Sequence, residues 1–297
     1  MLSVVIPLYN KEDSIEQTLK SVISQSVTQF EIIVVDDGST DRSLEIVRSF
    51  SDERIKIISK ENGGVSSARN IGIQEAQFTY IAFLDADDFW ESNYLEEQSK
   101  LINTYPEAAM WGVGWGYLES DKKKEIDHLT NEGFCGIIEN YWTLKKNSNL
   151  FWTSAVVLNK KVCDKVGYFD ERIRYGEDLD MWYRIMLNYP VVFCNKTLAY
   201  YRIDAENRAM TKKIPLSSLL PFYLGKYEVY KKRNADFKRY FDRFCLAVLF
   251  PYYLENKHDP EVQRILKSID LSDQPLTQQL RFRFPRTFQF LKELKRS

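Results

Sequence analysis

The chain has 297 residues, 44% of them hydrophobic, with 41 basic against 42 acidic side chains. That length carries one large domain with an extension, or two modest domains, and enough apolar residues for a sizeable core. The near balance of charge excludes the global basic field of a nucleic-acid binder, and no nucleic-acid partner is expected. Four scattered cysteines (Cys135, Cys163, Cys194 and Cys245) form no C-x-x-C pair. This argues against structural zinc or a disulfide scaffold and for a reducing cytoplasm. Met1-Leu2-Ser3-Val4-Val5-Ile6-Pro7 reads as a strand and not as a signal peptide. The longest apolar run, residues 244–254, is shorter than the ~20 residues that span a bilayer. With only His128 and His258, neither in a motif, acid–base chemistry is expected to rest on carboxylates.

Residues 2–8 form a Val- and Ile-rich run that ends in Tyr9-Asn10. Residues 13–25 have helical spacing, with Ile15, Leu19, Val22 and Ile23 on one face. The alternation continues with a strand at 30–35, a helix at 39–50, a strand at 54–59, a helix at 66–76 and a strand at 80–84. A helix at 93–105 then stops at Pro106. Uniformly apolar strands between helices predict βαβ units and a mainly parallel sheet covered on both faces, an α/β fold. Further on, 108–117, 151–158 and 191–201 read as strands, 160–166 and 177–189 as helices, and the polar stretch 119–127 as a loop. From about residue 214 only helical patterns remain, over 219–234, 235–254 and 260–269. The expected organisation is an α/β domain over 1–212 and a helical extension over 213–297.

Ligands of open parallel sheets bind at the carboxyl ends of the strands. Here those ends read Tyr9-Asn10, Asp36-Asp37-Gly38-Ser39-Thr40-Asp41 and Asp85-Ala86-Asp87-Asp88. Five or more carboxylates on one edge repel one another unless a cation compensates, and hard oxygen ligands select Mg²⁺ or Mn²⁺. Taken singly, Ser39, Thr40, Asp41 and Asp88 are also ordinary helix caps. Their coincidence at matching strand ends points to a ligand site. Asn62-Gly63-Gly64 precedes a helix where backbone N–H groups can meet an anion, and Arg69 offers a planar fork suited to phosphate. The alternative is a flexible loop with a solvated arginine. Gly112-Val113-Gly114-Trp115-Gly116 lacks G-x-G-x-x-G spacing and reads as a close-packed strand. Glu177-Asp178 opens a helix, where Asp178 alone reads as a cap.

These segments together resemble family 2 glycosyltransferases of the GT-A fold. The likeness rests on Val4-Val5-Ile6-Pro7-Leu8-Tyr9-Asn10, Val34-Val35-Asp36-Asp37-Gly38-Ser39-Thr40-Asp41, Asn62-Gly63-Gly64, Ala68-Arg69-Asn70, Leu84-Asp85-Ala86-Asp87-Asp88, and Gly167-Tyr168-Phe169-Asp170-Glu171 with Glu177-Asp178. It covers roughly residues 1–205. It implies a nucleotide-sugar half over about 1–118 and an acceptor-side half over about 119–212. Asp37 would contact the uracil of a UDP-sugar, with Pro7, Tyr9 and Asn10 near the base and ribose. Asp85, Asp87 and Asp88 match the acidic region that binds the ribose and, through Mn²⁺ or Mg²⁺, the diphosphate. Asp87 and Asp88 both stand as the direct metal ligand. Arg69 would lie near the diphosphate, and Asp178 would be the general base. Many relatives carry a His two residues after the pair matching Tyr201-Arg202; here that place is Asp204, an oxygen ligand or a loop residue.

The implied activity is inverting, metal-assisted transfer of a sugar to an acceptor hydroxyl on a glycan or lipid-linked sugar, in bacterial cell-surface polysaccharide, lipopolysaccharide or other glycan synthesis. One base and one Lewis acid suffice, which accords with the scarcity of histidine. A sugar-phosphate nucleotidylyltransferase would need a glycine-rich loop after the first strand, and Pro7-Leu8-Tyr9-Asn10-Lys11-Glu12-Asp13 has none. A non-catalytic nucleotide-sugar-binding module would be favoured by loss of the base or metal carboxylates, and all are present. The C-terminal third mixes basic and aromatic residues, from Lys231-Lys232-Arg233 to Arg281-Phe282-Arg283-Phe284-Pro285-Arg286. It reads either as a helical cap packing its aromatics or as a peripheral contact with the inner face of an anionic membrane.

Overall fold

Strand β1 (Leu2–Leu8) is buried along its whole length, with Val4, Val5 and Ile6 fully enclosed. A strand covered on both faces has no reason to alternate polar and apolar side chains, and it does not. In the computed structural model, which describes residues 1–120, 122–126, 128, 133–144, 150–206 and 214–285, β1 is central to one half of a large sheet. Strands β2 (Phe30–Asp36), β3 (Ile55–Ser59) and β4 (Tyr80–Phe83) run parallel in the order β3-β2-β1-β4. Helices α1 (Ile15–Ile23), α2 (Ser43–Arg48) and α3 (Val65–Glu75) connect them. The register aligns Leu8 with Asp36 and Asp36 with Ser59. The loops that follow these three strands therefore leave the sheet side by side. The β4 strand stops earlier, at Phe83 opposite Val5, so residues 84–88 lie alongside the last residues of β1.

Beyond β4 the sheet is mixed. Strands β5 (Phe89–Trp90), β6 (Met110–Glu119), β7 (Lys122–Glu125), β8 (Cys135–Ile137), β9 (Val156–Asn159) and β10 (Val191–Arg202) continue it, with helices α4 (Tyr94–Thr104), α5 (Cys163–Val166) and α6 (Glu177–Met186) between them. The path runs β4-β9-β6-β10-β5, with β7 beside β6 and β8 beside β10. β6 and β10 are parallel, while the pairs made by β9, β7, β8 and β5 are antiparallel. The parallel expectation thus describes the first half of the sheet.

Three local expectations change. Residues 122–125, read as loop, form the edge strand β7, all four residues exposed. Lys-rich strands wet on both faces carry no hydrophobic period, and lysines on an edge discourage further pairing. Helix α2 begins at Ser43 and not at 39, because residues 38–41 make a turn with Gly38 at φ 76°. Asp88 does not cap α4: β5 intervenes, and the helix starts after Asn93.

Residues 1–172 and 177–206 gather around the sheet, whereas Ile173–Gly176 group with residues 214–285 in a second, helical unit. Helices α7 (Glu228–Arg233), α8 (Ala235–Glu255), α9 (Pro260–Lys267) and α10 (Leu276–Arg283) build it. Asn234 and Asp259 cap α8 and α9 by accepting backbone N–H bonds, with Pro260 at the first turn of α9. Tyr227, Phe237 and Phe241 fill its centre. The basic–aromatic stretch packs inward in part: Phe282 is buried against Phe250 and Tyr253, and the Arg281 guanidinium sits 3.8 Å from the centre of the Phe250 ring, whereas Arg283 and Phe284 are exposed. Arg286, Phe288 and the residues after them lie outside the described residues. Among the described residues no helix is long and apolar enough to cross a membrane.

Candidate functional site

A cavity of about 410 Å³ opens at the carboxyl edge of the parallel strands. Pro7, Tyr9 and Lys11 from the β1 end, Asp37 from the β2 end, Asn62 and Gly64 from the β3 loop, and Asp85 and Asp87 from the β4 end form its walls. Arg69 of α3, Glu177 of α6 and Tyr201 of β10 complete them. Four strand ends and one helix start, far apart in sequence, thus meet at one crevice.

Asp37 is the fixed point of one end. Its carboxylate accepts the backbone N–H groups of Gly63 at 2.9 Å and Gly64 at 2.7 Å, and Lys60 Nζ at 2.6 Å. The glycine pair does hold an anion on its backbone, and that anion is the protein's own carboxylate. Gly64 adopts φ 92°, a conformation that a side chain would strain. Two lone-pair sites per oxygen leave Asp37 able to accept one further N–H from a ligand. The neighbouring acidic residues serve the turn. Asp36 accepts Ser39 N–H, and Asp41 accepts Ser43 and Glu12 N–H. Asn10, expected near base and ribose, has φ 51° and accepts Thr40 N–H at 2.8 Å, so its side chain clasps the two loops together outside the cavity wall.

The β4 end is held differently. Asp85 Oδ1 pairs with Arg69 Nη2 at 2.7 Å, and Asp87 Oδ2 with Lys11 Nζ at 2.6 Å. Asp88 is 1% exposed and turned away from the cavity. It accepts Ser154 Oγ–H at 2.6 Å and the Arg202 N–H at 3.3 Å. Burial raises the pKa of both Asp87 and Asp88. For Asp88 the repulsion of Asp87 and Asp85 adds to it; for Asp87 the Lys11 ammonium opposes it.

Arg69 was expected at the diphosphate. It is 3% exposed, and its two terminal nitrogens are taken by Asp85 and by Glu177 at 3.0 Å. Burial disfavours its charge, but Asp85 and Glu177 more than compensate. Arg69 is thus an internal counter-ion joining the β4 end to the start of α6. Glu177 is pushed up to about 7 by burial and by its neighbour Asp178, against the pull of Arg69. Asp178 also lies above the ordinary carboxylate range through burial, again opposed by Arg69. Its Oδ1 accepts Leu179 N–H at 2.7 Å and its Oδ2 accepts Thr153 Oγ1–H at 3.1 Å. Asp204 accepts Ser120 N–H at 2.9 Å and acts as a loop residue.

Lys11, Lys60, Thr153, Ser154 and the counter-ion role of Glu177 escaped the sequence reading. Lys11 had a usable signal, a cation directly after a strand end in an acidic edge. Thr153 and Ser154 had none, because they act across 25 and 66 residues of chain.

A divalent ion meets a sparse donor set here. Among the described residues no group of three or more His, Cys, Asp or Glu side chains is arranged to hold a metal. Asp87 offers a carboxylate at the cavity wall whose side-chain partner is a lysine and not an arginine. One carboxylate fits Mg²⁺ or Mn²⁺ when waters and the phosphates of a ligand supply the other oxygens, and it does not fit a prebuilt cage.

A sheet that is parallel on one side and mixed on the other, with an acidic crevice at the strand ends between, defines the GT-A fold. The model described as Glycosyl transferase family 2 matches residues 3–167, and the chain belongs to that family. It is 31% identical over 226 residues to glycosyltransferase GlyA of Streptococcus pneumoniae, covering 71% of this chain and 32% of that protein. It is 30% identical over 217 residues to glycosyltransferase GlyG of the same organism, covering 68% and 70%. The chain therefore spans about a third of GlyA and about two thirds of GlyG. Among solved structures it resembles S. aureus TarS 1-349 in complex with UDP-GlcNAc, with a TM-score of 0.62 at 20% identity over 84% of this chain and 66% of that one. TarS 1-349 in complex with UDP superposes with a TM-score of 0.58 over 90% of both chains, at 18% identity. At that identity the likeness speaks for the fold.

Proposed function

We propose that this protein is an inverting glycosyltransferase that moves a sugar from a UDP-sugar to an acceptor hydroxyl. The observation that carries the reading is one cavity walled by Asp37 at one end and by Asp87, Arg69 and Glu177 at the other, with Asp178 beside Glu177 on α6. Asp37, held rigid by Gly63 and Gly64, accepts the uracil N–H. Lys11 and Asp87 face the diphosphate. Asp178, oriented by Thr153, takes the proton of the acceptor hydroxyl. The hydroxyl oxygen then forms its bond to the anomeric carbon while the bond from that carbon to the diphosphate breaks, which inverts the centre and releases UDP. Asp87 would hold Mg²⁺ or Mn²⁺, and the ion would stabilise the charge on the departing diphosphate. Asp88, buried and twice hydrogen-bonded, supports this loop from behind. The acceptor class expected is a glycan or a lipid-linked sugar, and the place of action the cytoplasm or the inner face of the membrane.

Thermal shift with UDP and GDP, each with and without Mn²⁺, tests the donor side. UDP with Mn²⁺ should stabilise more than GDP; an equal response to both removes the role of Asp37. Asp178→Asn tests the base. It should lower transfer by about 10²–10⁴-fold and leave the UDP response in place. Loss of UDP binding in that variant would refute the assignment.

A further inference from the structure

Resting on the transferase reading above, we infer that Trp152 and Tyr201, backed by Trp115 and Tyr117, form a stacking platform for a pyranose ring of the acceptor. The platform follows from the register. β6 and β10 are parallel with Tyr117 opposite Tyr201, and Trp115 lies two residues before Tyr117 on the same face. Trp152, just before the 3₁₀ turn Thr153–Ala155, completes the group. Its ring centre is 5.6 Å from that of Tyr201 and 5.2 Å from that of Trp115. Tyr117 lies 5.7 Å from Trp115 and 6.4 Å from Tyr201. Trp115 is buried, whereas Trp152, Tyr117 and Tyr201 are only half-buried.

Position distinguishes this cluster from ordinary core. Tyr201 is part of the cavity wall together with Glu177 and Asp87. Three successive residues then tie the cluster to the chemistry. Trp152 meets Tyr201 edge-on, Thr153 donates to the base Asp178, and Ser154 donates to Asp88. The indole N–H of Trp152 has no hydrogen-bond partner among the described residues and is not sealed from solvent. Trp152 thus stands one residue from the hydroxyl that orients Asp178 and in edge contact with the cavity-wall ring of Tyr201. A pyranose offers one face of axial C–H bonds to an aromatic ring and equatorial hydroxyls to nearby donors and acceptors. An open-chain polyol has no such face. Half-exposed rings with an apolar body, beside the indole N–H of Trp152, suit that ligand.

Saturation-transfer NMR with methyl β-glucopyranoside, methyl β-galactopyranoside and methyl β-N-acetylglucosaminide tests this, with UDP and Mn²⁺ present and ribitol 5-phosphate as the acyclic control. The expected result is transfer from the aromatic protons to one C–H face of at least one glycoside, and none to ribitol phosphate. Trp152→Ala should weaken that glycoside about three- to tenfold, the range of one aromatic contact, and Trp152→Phe should restore most of it. The UDP-induced thermal shift of each variant checks folding. Transfer that is equal for ribitol phosphate, or unchanged in Trp152→Ala, overturns the platform. If UDP binds and no glycoside responds, the platform falls and the donor reading stands. If glycosides respond and UDP does not bind, the platform stands and the donor reading falls.

Discussion

The loops after β2 and β4 look alike in sequence, each an Asp-rich turn at a strand end, and the structure uses them in opposite ways. After β2 the carboxylates are spent largely on backbone N–H groups: Asp36 on Ser39, Asp37 on Gly63 and Gly64, Asp41 on Ser43 and Glu12. After β4 they are spent mainly on side chains: Asp85 on Arg69, Asp87 on Lys11, Asp88 on Ser154, with the Arg202 N–H as a further partner of Asp88. Backbone donors cannot move without unfolding the turn, whereas side-chain partners can swing away. The first loop is a frame and the second an electrostatic device open to exchange. The lesson is that an acidic cluster declares its role through where its partners come from.

Two lysines put this contrast to its hardest test. Lys60 and Lys11 each sit 2.6 Å from an aspartate, Asp37 and Asp87. Lys60→Ala leaves Asp37 with its two backbone donors, and UDP affinity should change less than about threefold, in keeping with a modest charged bond whose acceptor stays satisfied. Lys11→Ala leaves Asp87 without its ammonium. A hydrogen bond to a charged group is worth about 1.5–3 kcal/mol, so an ion that takes Asp87 no longer has to displace that much. Mn²⁺ titrated calorimetrically without nucleotide, where Lys11 meets no diphosphate, should bind about tenfold or more tightly to Lys11→Ala, and the ion-free protein should melt earlier. Equal Mn²⁺ affinity in the two lysine variants would erase the distinction between the loops.

Much of the frame could be read from the sequence, because its determinants are local. The β1 run from 2 to 8 is apolar throughout and is buried throughout. The strand-end positions of Asp37, Asp85 and Asp87 follow from the βαβ alternation alone. What was hidden depends on long-range contact. Nothing near Arg69 in the sequence says that Glu177, 108 residues away, will claim it from a phosphate. Nothing near Asp88 announces Ser154. Strand β7 escaped because a wet edge leaves no hydrophobic period. Asn10 is a mixed case: its position at a strand end could be read, but the left-handed backbone that turns its side chain toward Thr40 could not.

The device half of the site should also show itself in pH. Asp178 must be ionised to act as base, and it shares burial with Glu177, which is pushed up to about 7. The two titrate as a pair, facing Arg69 of α3, Asp85 at the β4 end and the Thr153 hydroxyl. The specificity constant kcat/KM should fall as pH drops through the titration of Asp178, which burial holds above the ordinary carboxylate range. The charge of Asp178 raises Glu177, so Asp178 ionises first while Glu177 is still neutral, and Glu177→Gln should leave the acid limb in place. Stability runs the opposite way with pH. The pKa of Glu177 is higher in the folded chain than its ordinary 4.5, so its contribution is complete below that value and is lost as pH rises through about 7. Glu177→Gln should flatten the fall of Tm over that window. An acid limb that moves in Glu177→Gln would mean that Glu177 carries its charge before the base does.

The frame half predicts the smallest effect, and Asn10 is where it can be measured cleanly. Glycine at this position accepts φ 51° without strain and removes the side-chain bonds to Thr40. The position is partly exposed, so Asn10→Gly should cost less than about 1 kcal/mol, seen as a small drop in Tm. UDP affinity should stay within about twofold, because Asp37 keeps its backbone donors whether or not the clasp is present. Asn10→Ala should cost about 1–2 kcal/mol more, the penalty of a side chain in the left-handed region, again with little change in UDP affinity. The order of the two variants in Tm reports the backbone strain, and their shared UDP affinity reports the role of the side chain. A tenfold loss of UDP binding in Asn10→Gly would return Asn10 to the nucleotide and show that the β2 and β1 ends exchange partners with the ligand just as the β4 end does.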